Sequence, residues 1–182
     1  MIFETICMLA GESKPVSLYS DKEDTEHFSC GYILGATQED VVLCSITPNG
    51  LYDGFLVLKT ANIFAVEYDD QYTQKIQALY TAREQKHPHL SFVENDNLMK
   101  NVLQYARDHS LVVSIELFDS QLDNIQGLVK EVDDEYLYVM QLDDSGCADG
   151  KICVLMDAVT SVSCDAEKEN ALNALRVQCL KN

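Results

Sequence analysis

Gly31-Tyr-Ile-Leu-Gly-Ala-Thr-Gln-Glu39 and Gly127-Leu-Val-Lys-Glu-Val-Asp-Asp-Glu135 lie 96 positions apart, and reading one as a copy of the other decides the architecture. From these stretches the match runs without a gap, Gly31 to Asp69 against Gly127 to Asp165. Seven of the 39 positions are identical: Gly31/Gly127, Glu39/Glu135, Gly50/Gly146, Asp53/Asp149, Gly54/Gly150, Val66/Val162 and Asp69/Asp165. Three of these pairs are glycines, which stand where backbone takes positive φ or is closely approached. Asp-Gly at both 53–54 and 149–150 reads as a turn signal. The apolar pattern agrees, with Ile33/Val129, Val41/Leu137, Leu43/Val139, Ile46/Leu142, Leu56/Ile152 and Ile63/Val159 as conservative pairs.

Upstream the register shifts by one: Val16-Ser17-Leu18 falls on Val113-Ser114-Ile115, so the acidic loop Asp21–His27 is one residue longer than its mate. Downstream, Ala78-Leu79 falls on Ala174-Leu175. So long a period excludes a solenoid and suits two copies of one small domain. The expected organisation is a first repeat over 1–86, a linker over 87–95 and a second repeat over 96–182.

Each copy reads as a helix, five short strands and a second helix, a mainly β chain with flanking helices of α+β class. Leu98, Met99, Val102, Leu103 and Ala106 recur at helical spacing within Asn97–His109, with Asn95 or Asp96 as cap; the mate is Ile2–Ala10. Strand-like runs follow at Val16–Tyr19, Cys30–Thr37, Val41–Ile46, Phe55–Thr60 and Ile63–Tyr68. In the second copy they are Leu111–Phe118, Gln126–Asp133, Tyr136–Leu142, Ile152–Met156 and Val159–Cys164. Tyr72, Ile76, Leu79 and Tyr80 share one face of the first closing helix; Leu172, Leu175 and Cys179 share one of the second. Pro88 stops any continuation of the first. Five short antiparallel strands bury a small core by curling into a barrel, so two five-stranded barrels are expected.

The second and third strands resemble the Sm-like family. Gly127-Leu-Val-Lys-Glu-Val-Asp133-Asp-Glu-Tyr136-Leu137 is similar to the first Sm motif, with Asp133 in the motif's Asp position; in Gly31–Thr37, Thr37 replaces that Asp. The resemblance implies tandem Sm-like barrels and assembly through edge strands. It also implies where RNA would bind, at a motif Asn and an Arg-Gly pair. Here the Asn position holds Val41 and Leu137, and the Arg-Gly position holds Lys59-Thr60 and Leu155-Met156. Aliphatic side chains offer a base neither hydrogen bonds nor a cation.

Charge bears on partners. Thirteen Lys+Arg against 30 Asp+Glu give −17, and the excess is spread: 13 acids and 6 bases over 1–90, 17 acids and 7 bases over 91–182. Such a field repels phosphate backbones and anionic lipid, so nucleic acid and membrane are poor partners. No apolar run reaches the length of a membrane span, and the N-terminus carries Glu4 and no basic start, so a cytoplasmic protein is expected. Seven cysteines, with no C-x-x-C spacing, write neither a zinc knuckle nor a redox motif. Cys44, Cys147 and Cys153 align with Met140, Leu51 and Val57, which points to packing and to no disulfide.

Chemistry finds no foothold: no catalytic, cofactor-binding or metal residue is assigned. Of four histidines, His27, His87, His89 and His109, the loop pair His87-Pro88-His89 could be half a metal site but lacks the further ligands that zinc needs, and reads as two solvated histidines. The acidic groups Asp21–Glu26, Asp133–Glu135 and Asp143-Asp144 sit at expected turns without EF-hand spacing. No phosphate loop, Gly-x-Ser-x-Gly elbow or His-Glu-x-x-His helix occurs. The leading reading is a non-enzymatic protein-interaction or scaffold module whose partners are proteins, a homo-oligomer of its own copies included. The alternative is an atypical RNA-binding protein in which Lys59 and Tyr136, with Lys75, Lys130 and Lys151, do the work. A third reading places a small ligand or an enzymatic site in a cleft between the barrels.

Overall fold

Alternating runs rich in Val, Ile and Leu pair into antiparallel ladders, and amphipathic segments pack on them. The computed structural model describes residues 1–24, 26–87, 90, 97–118 and 125–181. Among these are ten strands and four helices, in two compact units, Met1–Leu98 and Met99–Asn182. In the first unit α1 (Ile2–Ala10) precedes β1 (Val16–Tyr19), β2 (Ser29–Ala36), β3 (Asp40–Ile46), β4 (Tyr52–Lys59) and β5 (Ala65–Tyr68), and α2 (Gln71–Ala82) closes it. The second runs α3 (Leu98–Asp108), β6 (Val112–Leu117), β7 (Ile125–Val132), β8 (Tyr136–Leu142), β9 (Ala148–Leu155), β10 (Val159–Cys164) and α4 (Glu167–Cys179). No helix among the described residues is long and apolar enough to cross a membrane.

The ladders repeat rung for rung. Ile33 faces Leu43 and Val129 faces Val139; Val41 faces Leu58 and Leu137 faces Val154. The one-residue shift upstream is equally real: Val16 faces Gly31 as Val113 faces Gly127. Gly31 and Gly127 hold matching close approaches, since a Cβ there would lie 2.0 Å from the Cys44 carbonyl oxygen and 2.1 Å from that of Met140. Both 3-10 turns, Thr60–Asn62 and Met156–Ala158, also correspond.

Closure into barrels is not shown. The strand order is β5-β1-β2-β3-β4 in the first unit and β10-β6-β7-β8-β9 in the second, so the strands at the two ends of each order do not pair with one another among the described residues. The first unit buries its sheet with helices instead. Ile6 and Leu9 of α1 join Val16, Leu18, Ile33, Leu43 and Leu58 in one cluster. Ile76 and Tyr80 of α2 cover Cys30, Tyr32, Cys44 and Ile46 in another. Helix-on-sheet packing removes apolar surface from water without closure. In the second unit Leu172 of α4 packs with Val112, Leu128 and Leu142, and Leu98, Met99, Val102, Leu103 and Ala106 of α3 are fully buried.

Two local expectations are corrected. Asp53-Gly54 and Asp149-Gly150 are not chain turns. They lie inside β4 and β9, where the register jumps between Cys44/Phe55 and Ile46/Tyr52, and between Met140/Lys151 and Leu142/Ala148. Two residues there oppose one, which is a bulge, and Gly54 and Gly150 carry its positive φ. The turns come earlier, closed by Gly50 N–H to the Thr47 carbonyl and Gly146 N–H to the Asp143 carbonyl. The second correction is a disulfide, Cys147–Cys179, with Cα atoms 5.7 Å apart. Alignment sets Cys147 against its mate Leu51, whereas folding sets it against its neighbour in space. Gly146 lets the backbone of α4 approach, since a Cβ there would meet the Arg176 nitrogen at 2.4 Å, and this brings Cys179 over Cys147. Asn95, Asp96, Pro88 and His89, and most of the expected linker, lie outside the described residues.

Candidate interaction surface

The turn chemistry accounts for most of the acidic clusters. Asp133 Oδ1 accepts from the Glu135 and Tyr136 N–H groups at 2.8 and 2.7 Å, and these backbone bonds lower its carboxyl below the usual range. Thr37 Oγ1 does the same for Glu39 and Asp40 in the first unit, so Asp133 and Thr37 are interchangeable turn caps. Asp21 and Asp143 cap their own turns likewise. Among the described residues no group of three or more His, Cys, Asp or Glu side chains is placed to hold a metal ion. The described histidines are engaged locally: His27 Nδ1 lies 2.6 Å from Asp24 Oδ2, His109 Nδ1 lies 2.9 Å from the Tyr105 carbonyl oxygen, and His87 packs on Tyr32 at 5.3 Å, its pKa lowered by burial.

Lys59 and Tyr136 occupy corresponding rungs of different units. On the first rung Lys59 faces Asp40, and its Nζ lies 3.0 Å from Oδ1 of that carboxylate, which is 1% exposed. The ammonium is thus committed to a structural pair. On the second rung Tyr136 faces Leu155, and both are exposed, at 39% and 56%. The next rungs continue the contrast. Val42 faces Val57 and Cys44 faces Phe55, all four at most 1% exposed. Their mates are Tyr138 facing Cys153 and Met140 facing Lys151, of which Tyr138, Cys153 and Lys151 are exposed. One backbone ladder therefore carries a buried face in the first unit and an open face of Tyr136, Tyr138, Cys153 and Leu155 in the second. Sequence alignment contained this contrast in Val42/Tyr138 and Phe55/Lys151, but burial in one copy and not in the other is a tertiary fact.

The open face is concave and locally basic. A cavity of about 520 Å³ is lined by Lys130, Tyr138, Lys151, Ile152 and Cys153, with Glu131 and Val139. Neither Lys130 nor Lys151 has a carboxylate oxygen within 4.0 Å among the described residues. Tyr138 faces Cys153 across the ladder, and the neighbouring thiol raises the tyrosine pKa. Among the described residues β9 pairs with β8 alone, so its outer row of backbone N–H and C=O groups is available to another strand.

A second cavity and three buried thiols lie elsewhere among the described residues. Ser13, Tyr32, Tyr80, Gln85, Lys86 and His87 line a cavity of about 350 Å³ in the first unit. Burial pushes the Cys30 thiol up to about 11 and the Cys44 thiol up to about 12, and raises that of Cys164 too, so all three are poor nucleophiles. Glu169 is 3% exposed, and its Oε1 accepts from the Ser114 and Ser163 hydroxyls at 2.5 and 2.8 Å; Oε2 has no hydrogen-bond partner among the described residues. Its mate Thr73 is likewise buried in the first turn of α2, and through the two serines this carboxylate ties the first turn of α4 to β6 and β10. No protein-family model, no curated protein and no solved structure matches the chain.

Proposed function

We propose that the protein is a non-enzymatic interaction and scaffold module of two tandem Sm-like units, and that it docks a second copy of itself on the β8–β9 face. The observation that carries this reading is the exposure of Tyr136, Tyr138, Cys153 and Leu155 where the mates of the inner rungs are sealed from water. Large apolar side chains grouped on an open strand edge mark a protein-binding surface. The occupant follows from charge and edge geometry. Among the described residues β5 pairs only with β1, and it presents exposed Glu67 and Tyr68 followed by Asp69. An acidic edge strand complements the Lys130 and Lys151 ammonium groups beside β9. The order β5-β1-β2-β3-β4 behind an N-terminal helix supports the Sm-like resemblance at the level of the finer fold.

Sedimentation velocity over a range of concentrations tests the reading. Wild type is expected to show concentration-dependent mass, and Tyr138→Glu to weaken association at least about tenfold, as loss of a central aromatic does. Lys151→Glu is expected to weaken it in a salt-dependent way. A strictly monomeric wild type would refute docking between copies.

A further inference from the structure

We infer that Cys147–Cys179 is a reversible thiol–disulfide site that docks and releases the C-terminal half of α4. α2 shows what α4 lacks. α2 buries Thr73, Ile76 and Tyr80 along its length. The mates are Glu169, Leu172 and Arg176, and only the first two are buried. Beyond Leu172, the apolar residues Leu175, Val177 and Leu180 are all exposed. The first unit has a further tie past its helix, where Gln85 Oε1 accepts from the N–H of Tyr52, the first residue of β4, at 3.1 Å. The mates of that pair are Ala148 and Lys181, and a lysine side chain has no acceptor to offer. The disulfide stands in the same place: Cys179 ends α4 and Cys147 immediately precedes Ala148. Where α2 has a buried tyrosine and a side-chain hydrogen bond, α4 has one covalent bond.

Both cysteines are half-buried and within reach of a small thiol, unlike Cys30, Cys44 and Cys164. A dithiol reductant supplies the electrons. Its thiolate attacks one Sγ, the other Sγ leaves as thiolate and takes a proton, and the reductant's second thiol displaces the mixed disulfide. Two cysteine thiols and one oxidised dithiol result. If β9 is the docking edge proposed above, on which this consequence rests, release slackens the turn Asp143–Cys147 leading into it and weakens association.

Hydrogen exchange by mass spectrometry on the full chain, oxidised and in dithiothreitol, tests the switch, with sedimentation run on the same samples. Reduction is expected to speed exchange over residues 173–181 at least about tenfold while α2 is unchanged. Cys179→Ser is expected to match the reduced chain with or without reductant. Equal protection of 173–181 in both redox states would overturn the switch. Faster exchange with unchanged association would overturn its control of β9. A chain monomeric in every state would count against the docking reading alone, because the exchange comparison still decides the switch.

Discussion

Lys59→Met is expected to destabilise the first unit far more than the loss of a surface ion pair would. Asp40 is 1% exposed, and Lys59 Nζ stands 3.0 Å from its Oδ1 with 28% of the lysine side chain reaching solvent. Removing one partner of a fully buried pair costs about 3–5 kcal/mol, because the charge left behind has lost its compensation. Lys59 is partly solvated and Asp40 keeps another interaction, which brings the expected cost to about 2 kcal/mol. Asp40→Asn with Lys59→Met removes both charges at nearly constant volume. The double variant strands no buried charge, so it is expected to be more stable than the sum of the two single costs implies. The assay is urea unfolding of the four members of the cycle, followed by circular dichroism because the chain has no tryptophan. Single costs that simply add in the double variant, within about 0.5 kcal/mol, would refute the reasoning.

The Asp70 carboxyl is held below its usual range, first by the Thr73 hydroxyl and then by the Tyr72 and Thr73 N–H groups it caps. A depressed carboxylate stabilises above its unfolded pKa, near 3.9, and loses that contribution as pH falls through its folded value. Asp70→Ala is therefore expected to cost about 1 kcal/mol at neutral pH, and a melting series should show the gap closing in acid. Gly127→Ala drives a Cβ to 2.1 Å from the Met140 carbonyl oxygen, whereas Gly150→Ala meets nothing within 4 Å and suffers only its φ of +100°. Several kcal/mol are expected for the first and about 1–2 kcal/mol for the second, and chemical denaturation reversing that order would be decisive against the packing account. Fluorescence anisotropy with oligo(U) or oligo(A) at physiological salt should show no binding, given −17 overall and Lys59 committed to Asp40. Affinity abolished by Tyr136→Ala or Lys59→Ala would revive the RNA reading.

The duplication, the strand count and most strand positions are written in local pattern, because strand alternation and helical spacing depend on residues close in sequence. Even the one-residue shift before β2 and β7 is legible, since Val16 and Val113 keep their register with Gly31 and Gly127. Asp-Gly misled because the same dipeptide serves a turn and a bulge, and only the pairing of β3 with β4 says which. Barrel closure, the Cys147–Cys179 bond and the exposure of the β8–β9 face were decided by tertiary structure. Each depends on which distant groups meet: helices that cover a sheet, a helix end laid over Gly146, and a ladder sealed in one copy and open in the other. Sequence spacing carries no record of those distances, and so the same pattern of apolar residues yields a core at Val42 and Val57 but a surface at Tyr138 and Cys153.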